Sequence, residues 1–233
     1  MYIPAHFAAG PDAVQDLLAR PAAANLVTMT PQGLLATLVP FIFDPSIGEL
    51  GALHGHLARN NTQWSEPVTG EALVLIQGAD TYISPSWYAS KAEHGRVVPT
   101  WNYSTAHVYG RLVIHDDPAW LAHQVRKLTD FHEARSEHPW AVDDAPPHFV
   151  AGQLRAIVGI ELVITRIEAK QKLSQNRPAA DVDGVLAGLE ARGQTAAAAD
   201  VARARRETYS GATSSSWSAA DISPTPGVPS ASA

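Results

Sequence analysis

The chain has 233 residues, of which 45% are hydrophobic and 17% are charged, and its formal net charge is −6 at pH 7. This is enough apolar material for one sizeable core, or at most a core with a helical appendage. The absence of cysteine excludes disulfides, thiolate catalysis and cysteine-ligated metal sites. An acidic chain repels a phosphate backbone unless its cations are concentrated on one face, so the charge balance does not favour DNA as a partner.

Nothing in the sequence predicts a membrane partner or an export route. The first seven residues lack the basic and apolar segments of a signal peptide. No apolar run approaches the roughly 20 residues that span a bilayer. Because cysteine is also missing, the expected location is a reducing cytoplasm, with a secreted protein without disulfides as the alternative.

The first third of the chain predicts one short helix and then strands. Val14, Leu17 and Leu18 form an apolar stripe at helical spacing over Pro11–Ala19, and Pro21 ends that helix. Turn-bounded segments predict strands, with a short helix at 59–64 among them; the strands lie at 26–30, 34–43, 49–57 and 71–77. Successive short strands joined by turns favour an antiparallel sheet or barrel.

A longer strand is predicted at Thr100–His115, after an irregular stretch at 83–98. Small or apolar residues alternate there with aromatic residues and histidine. One face carries Ala106, Val108, Gly110, Leu112 and Ile114, and the other carries Trp101, Tyr103, His107 and Tyr109. The alternation predicts core on one side of this strand and a ligand or a partner on the other.

Two helices, a strand and a third helix are predicted next. Asp117 is an N-cap followed by a first-turn proline, and it opens a helix to about residue 132. A second helix follows Pro147, a strand covers 157–173, and the last helix covers 182–192 and ends at a glycine.

The composition changes from residue 194 onward to Ala, Ser, Thr, Pro and Gly. We therefore interpret 1–193 as the folded domain and 194–233 as a disordered tail. Three arginines in this tail could contact nucleic acid, but a solvated, partly helical stub is the favoured interpretation; they are Arg203, Arg205 and Arg206.

The first of three clusters that could carry function is HGHLARNNTQW at 54–64, which runs from a strand into a short helix. A helix start presents free N–H groups to an anion and Arg59 adds a cation, so phosphate binding is one interpretation. Two ordinary half-buried strand histidines beside a surface charge are the other. A histidine-ligated metal is less favoured, because no third ligand lies at suitable spacing.

The second cluster joins YISPSWY at 82–88, Lys91 and VPTWNY at 98–103. Its rings, hydroxyls and amide could bind a planar heterocycle, or they could form an aromatic dimer interface. The third cluster is KQKLSQNRP at 170–178, directly after a strand, and it is either a ligand site or a solvated turn.

Several functional signatures are missing from the sequence. It contains no glycine-rich dinucleotide fingerprint and no P-loop. No nucleophile elbow surrounds Ser84 or Ser86. No helix pair resembles a helix-turn-helix, because the two helices that follow Asp117 are separated by a long, proline-containing connection.

Five motifs resemble the PaiB family of negative transcriptional regulators and occur in that family's order. They are MYIPAHF at 1–7, GHLAR at 55–59, YISPSWY at 82–88, VPTWNY at 98–103 and KLSQNR at 172–177. The resemblance extends from Met1 to about Gly193 and leaves only the tail uncovered.

The resemblance implies an α+β fold built on an antiparallel split β-barrel with peripheral helices, related to pyridoxamine-phosphate-oxidase-like flavoproteins. It also implies a homodimer with FMN bound between the subunits. Arg59, Asn60 and Asn61 become the expected phosphate clamp, with His56 beside them. The expected contacts to the flavin or its edge are Trp101, Asn102, Tyr103, Lys172, Gln175, Asn176 and Arg177.

Two positions depart from the family pattern. Thr62 stands where a proline is usual, which would loosen the start of that short helix. Gln171 stands where an aromatic residue is usual between two lysines, and flavin occupancy would be weak if that aromatic residue closes the site.

Two functions follow from the resemblance. The first is an FMN-binding negative transcriptional regulator, although no residues identify a DNA contact. The second is a flavin-dependent oxidoreductase acting on a small molecule, in which His56 and His107 are the first residues to mutate because histidine titrates near physiological pH. A structural protein with an empty site is the third alternative, and Gln171 is its best argument.

Overall fold

The computed structural model describes residues 1–20 and 23–210. Its seven β-strands are β1 (Ala23–Thr30), β2 (Gly33–Pro40), β3 (Ile42–Asp44), β4 (Ala52–Ala58), β5 (Ala72–Ile83), β6 (Thr100–His115) and β7 (Ile157–Lys172). Six α-helices occur in this part of the chain: α1 (Pro11–Ala19), α2 (Ser90–His94), α3 (Pro118–Glu133), α4 (Pro147–Leu154), α5 (Ala179–Ala191) and α6 (Thr195–Ser210). Short 3-10 turns lie at Ala5–Phe7, Thr62–Trp64, Pro85–Trp87 and Val142–Asp144.

The strands form one antiparallel sheet in the order β2-β1-β5-β6-β7-β4-β3. This sheet curls, because β4 approaches β2 although the two are not neighbours in it. A Cβ atom on Gly55 would lie 2.9 Å from Val39 Cγ1 and 3.0 Å from the carbonyl oxygen of Pro40. Only glycine allows the two backbones to come this close. The predicted split barrel with peripheral helices is confirmed.

The barrel interior is filled by the alternate residues that the sequence pattern selected. On β6, Ala106 and Val108 are fully buried, and Val74, Ile160 and Leu162 meet them from β5 and β7. The outward-facing side of β6 is therefore free to form a site. Within the described residues, no helix is long and apolar enough to cross a membrane.

A second, smaller core lies where β5 ends and α5 and α6 pack together. Ile83 and Tyr88 meet Val185 and Leu189 of α5 there, and α6 contributes three small residues: Ala198, Val201 and Ala204. Asp181, at the start of α5, is buried and accepts hydrogen bonds from the backbone N–H and the hydroxyl of Ser90. This core holds the end of β7 in place.

The prediction of disorder from residue 194 is wrong for Thr195–Ser210, which form α6. The composition was a poor guide, because small residues at every third position, Ala198, Val201 and Ala204, pack closely against α5 without large apolar side chains. Two of the arginines noted in the sequence are paired with carboxylates: Arg203 with Asp16 and Asp200, and Arg205 with Asp183. Residues 211–233 of the predicted tail lie outside the described residues.

Candidate functional site

The predicted site residues form two clusters at opposite ends of β7. The β4-end cluster comprises His56, Arg59, Asn60 and Asn61, where Ala58 pairs with Ile157, the first residue of β7. The β7-end cluster comprises Trp101, Asn102, Tyr103, Lys172, Gln175, Asn176 and Arg177, where Tyr103 pairs with Lys172, the last residue of β7. A 16-residue strand is about 50 Å long when measured along the chain. The two clusters are therefore separate candidate sites.

Arg59 uses its guanidinium to join three segments of the fold. Its Nε donates to the carbonyl oxygen of Arg155 at 2.8 Å, and Nη2 donates to that of Ile157 at 3.0 Å. Both terminal nitrogens also donate to the carboxylate of Asp116. These hydrogen bonds raise the pKa of Arg59 and lower the pKa of Asp116. The charge of Arg59 is therefore already matched.

Of the other residues in the β4-end cluster, Asn61 also has hydrogen-bond partners within the fold. Asn61 caps the 3-10 turn, since its Oδ1 accepts from the backbone N–H of Gln63 at 3.0 Å and its Nδ2 donates to Thr37 Oγ1 at 3.0 Å. Asn60 is exposed. His56 is half-buried on β4, its Nδ1 has no hydrogen-bond partner among the described residues, and burial lowers its pKa.

The lysines at the other end of β7 lack such a match. Lys170 is only 9% exposed, and its Nζ donates one weak hydrogen bond, to the carbonyl oxygen of Tyr2 at 3.4 Å. Lys172 Nζ donates to Thr100 Oγ1 and, at 2.6 Å, to the carbonyl oxygen of Trp101. Within residues 1–20 and 23–210, neither lysine forms an ion pair with a carboxylate. Burial lowers the pKa of Lys172, and repulsion by Lys170 and Arg177 lowers it further.

Aromatic rings surround these two ammonium groups. Lys170 Nζ lies 5.4 Å from the ring centre of Tyr103 and 5.9 Å from that of Phe7, and Lys172 Nζ lies 5.8 Å from the same Phe7 ring. The N-terminal segment delivers Phe7, because Ala8 forms a β-bridge with Lys170. Cation–π contacts stabilise an ammonium only partly, so a desolvated pair of lysines still favours an anion.

Arg177 lies near Lys172, and Tyr88 lies against Arg177. The Arg177 guanidinium lies 4.6 Å from the centre of the Tyr88 ring. Tyr88 is 3% exposed, and its hydroxyl has no hydrogen-bond partner in the described part of the chain. The hydroxyl proton is therefore free to donate to an anion bound beside Arg177.

Two of the predicted contacts, Asn102 and Gln175, maintain the backbone of this region. Asn102 is 1% exposed and its amide bonds Ser174 Oγ at 3.1 Å, which holds Ser174 in its left-handed conformation at φ +69°. Gln175 accepts from the backbone N–H of Leu173 and donates to the carbonyl oxygen of Gln171 at 2.8 Å. Trp101 is different, because it is 54% exposed and its ring meets that of Tyr82 at 6.1 Å. Asn176 is exposed.

The two departures from the family pattern lie away from these unmatched charges. Thr62 begins the 3-10 turn Thr62–Trp64 at the other end of β7. Gln171 pairs with Ser104 on β6, and strand alternation directs it to the opposite face from Lys170 and Lys172. In the described residues, no group of three or more His, Asp or Glu side chains could hold a metal ion.

Residues 1–166 match the family described as "Putative FMN-binding domain". The chain belongs to this FMN-binding family. Protease synthase and sporulation protein PAI 2 of Bacillus subtilis is 30% identical over 192 residues, which cover 82% of this chain and 89% of that protein. The resemblance to the PaiB family is thereby confirmed, and the cofactor of this family is FMN.

Two further similarities extend the comparison. The uncharacterized protein AN0679 of Emericella nidulans is 32% identical over 230 residues, covering 78% of this chain and 92% of that protein. Among solved structures, the conserved hypothetical protein Rv2991 from Mycobacterium tuberculosis superposes with a TM-score of 0.51 at 13% identity, covering 76% of this chain and 94% of that one. This second similarity concerns the fold alone.

The groups of the β7-end cluster are chemically complementary to FMN. FMN combines a doubly charged phosphate with a planar aromatic ring system, and this cluster offers unmatched cations, an unpartnered hydroxyl and exposed rings. Its two strongest indications, Tyr88 and Lys170, lie in the second and third clusters noted in the sequence but were not among the expected contacts to FMN. Alternation along β7 would have selected Lys170, because it shares a face with Lys172. No sequence signal identifies the Tyr88 hydroxyl as unpartnered.

Proposed function

We propose that this chain is a homodimeric, FMN-binding negative regulator of the PaiB kind, located in the cytoplasm, and that Lys170, Lys172 and Arg177 bind the FMN phosphate. The observation that carries the proposal is the pair of desolvated lysines without a carboxylate partner. A buried cation is expensive unless it is paired, and a phosphate at this position would supply the missing charge and accept from Tyr88.

Different residues of the β7-end cluster would hold the phosphate and the flavin ring of the cofactor. Lys170, Lys172 and Arg177 would bind the phosphate oxygens. Trp101 and Tyr82 offer exposed aromatic surface for the flavin ring. Asn102 and Gln175 would hold the backbone that carries these groups. When bound, FMN supplies one- or two-electron redox chemistry that no side chain here can perform.

Homodimer formation is supported by the resemblance to the PaiB family and by an apolar surface. The outer face of β1 and β2 carries Met29, Leu34 and Leu38, which are 45%, 66% and 62% exposed. Three large apolar side chains on an edge strand and its neighbour favour burial against another subunit.

The regulatory role is inferred from family membership, and the charges favour a mechanism that does not rest on direct DNA contact. The net charge is −6, and Arg203 and Arg205 are already paired with carboxylates. Regulation through the state of the flavin is therefore the form of the proposal that the electrostatics support best.

A flavin-dependent oxidoreductase is the second candidate, and the outer face of β6 favours it. His107 is half-buried on this face, and burial lowers its pKa, so the imidazole is neutral at neutral pH. A neutral imidazole near a redox cofactor can accept a proton from a substrate.

The test begins with purified full-length protein, FMN and the visible flavin bands. Bands that remain with the protein through desalting support the binding proposal, and a protein that does not retain added FMN contradicts it. Sedimentation with and without FMN tests the dimer. Rapid reduction of bound FMN by NADH with multiple turnovers would favour the oxidoreductase. Retention of FMN without turnover would favour the regulator, and a steep loss of DNA affinity with added salt would mean that DNA contact is direct.

A further inference from the structure

Three titratable side chains from adjacent strands converge beneath α3, outside the proposed FMN site. His54 on β4, Glu161 on β7 and His115 on β6 form what we call the histidine–glutamate cluster. The Nε2 atoms of His54 and His115 lie 3.1 and 3.6 Å from the same atom, Glu161 Oε2. Strand register explains the convergence, because His54 pairs with Glu161 while His115 pairs with Gly159, two residues along the same face.

Trp120, in the first turn of α3, covers this cluster. Its indole is stacked on His115, with 4.1 Å between ring centres and 5° between planes, and it meets His54 edge-on at 5.6 Å. The indole occupies the space above Gly159, where a Cβ atom would lie 2.2 Å from Trp120 Cζ3. Asp117 caps the helix by accepting from the Trp120 backbone N–H at 2.8 Å.

Further along α3, a buried amide lies on the same side as Trp120. Gln124 is 1% exposed, and neither of its amide atoms has a hydrogen-bond partner within the described residues. It follows Trp120 by one turn and precedes Lys127, whose Nζ donates to Asp44 on β3 at 2.7 Å. Helical spacing therefore places Gln124 between two contacts with the sheet. The underside of α3 is polar as well as buried.

Charged or titratable groups from β3, β4, α3 and the end of β6 lie near the histidine–glutamate cluster. Glu161 and Asp44 attract a proton to His54, whereas burial and Lys127 oppose it, and burial dominates, so the pKa of His54 is lowered. His56 lies two residues from His54 on the same face of β4. Asp116 follows His115, but its charge is matched by Arg59.

We propose that His54, Glu161 and His115 form a site for a single shared proton, and that the occupancy of this site sets how tightly Trp120 and α3 are held on the sheet. With one added proton, an imidazolium is paired with the Glu161 carboxylate, and on His115 it also lies against the indole face. A second proton would place two cations on one carboxylate and weaken the contact.

Tryptophan fluorescence of the full chain between about pH 5 and pH 8 tests this proposal, because a stacked imidazolium quenches indole emission. We expect a one-proton transition in the wild type that is lost in Trp120→Phe. In Glu161→Gln the midpoint should move to lower pH by about one unit or more, because the carboxylate that stabilises the cation is gone. A transition that survives in Trp120→Phe, or that keeps its midpoint in Glu161→Gln, would overturn the proposal.

Two further measurements keep the proposal falsifiable if a variant fails to fold. In the wild type, NMR titration of the imidazole C–H signals should show His54 and His115 responding to one common protonation step. Independent midpoints for the two rings would contradict a shared proton. Gly159→Ala should displace the indole while keeping all three titrating groups, so it should abolish the fluorescence transition and retain the NMR transition.

Discussion

The two ends of β7 carry similar residue types, but the positive charge is paired with a carboxylate at one end and not at the other. At one end, every guanidinium nitrogen of Arg59 donates to Asp116 or to a backbone carbonyl oxygen. At the other end, Lys170 and Lys172 have no carboxylate partner in the described part of the chain. An anion site is indicated by a cation that lacks a carboxylate partner, and a positively charged residue alone does not indicate one. A motif containing arginine can serve the fold while an adjacent polar run serves the ligand.

The largest expected effect comes from removing the unmatched cations. Lys170→Met with Lys172→Met should weaken FMN binding about 100-fold or more, because each charge-assisted hydrogen bond to phosphate contributes about 1.5–3 kcal/mol. Arg59→Ala should change FMN affinity by no more than about threefold, because distant sites act independently. Equilibrium titration with FMN measures both, and Lys91→Met controls for the loss of a lysine charge.

The opposite ranking of the two variants in FMN affinity would move the phosphate site to the other end of β7. If Arg59→Ala abolishes FMN binding while the double lysine variant keeps it, the phosphate belongs to the β4-end cluster. Melting temperatures of the same variants then separate loss of the site from loss of the fold, since Arg59→Ala also breaks the contact with Asp116.

The packing beneath the β7-end cluster offers the next largest effect. A Cβ atom on Gly184 of α5 would lie 1.8 Å from the carbonyl oxygen of Trp87. Gly184→Ala should therefore lower the free energy of unfolding by about 3 kcal/mol and weaken FMN binding, because Tyr88 follows the displaced residue.

Gly152→Ala is the matched control for that substitution. Gly152 lies in α4, and its nearest neighbour would be Arg155 Nη2 at 3.9 Å. The alanine should stabilise the helix by about 0.5–1 kcal/mol. Urea denaturation measures the free energy of unfolding of both variants. Equal values would mean that α5 does not pack closely on the Pro85–Trp87 turn.

A smaller effect should appear as pH dependence of stability. Burial lowers the pKa of His56 and of His107 below their ordinary value of 6.5. Below pH 6.5 the unfolded chain then binds more protons than the folded chain, so the free energy of unfolding should fall as the pH is lowered and be level above that value. Urea denaturation at pH 7.5 and 5.5 should show a weaker pH dependence in His56→Gln than in the wild type. An unchanged dependence would mean that His56 is not held neutral.

The smallest expected effect concerns the proline that the family usually carries at position 62. Asn61, with φ −79° and ψ 115°, already has the extended backbone that precedes proline. Thr62→Pro should raise the free energy of unfolding by about 0.5 kcal/mol by restricting the unfolded chain. FMN affinity should stay the same, and a change in it would connect the β4-end cluster to the cofactor after all.

Local signals in the sequence were enough to predict several elements of the fold. Alternation predicted both the bounds of β6 and its buried face, and the Asp117 cap predicted the start of α3. Ordered motifs identified the FMN-binding family and, through it, the split barrel. Such signals persist in the sequence because they depend on neighbours that are two to four residues apart.

The pairing of charges, by contrast, depends on the three-dimensional fold. Arg59 is paired with a carboxylate 57 residues away, and Lys170 is buried without one. The histidine–glutamate cluster needs three strands to assemble, and α6 needs α5 to cover its alanines. Pairing and burial are properties of long-range contacts, and residue type and spacing do not specify them.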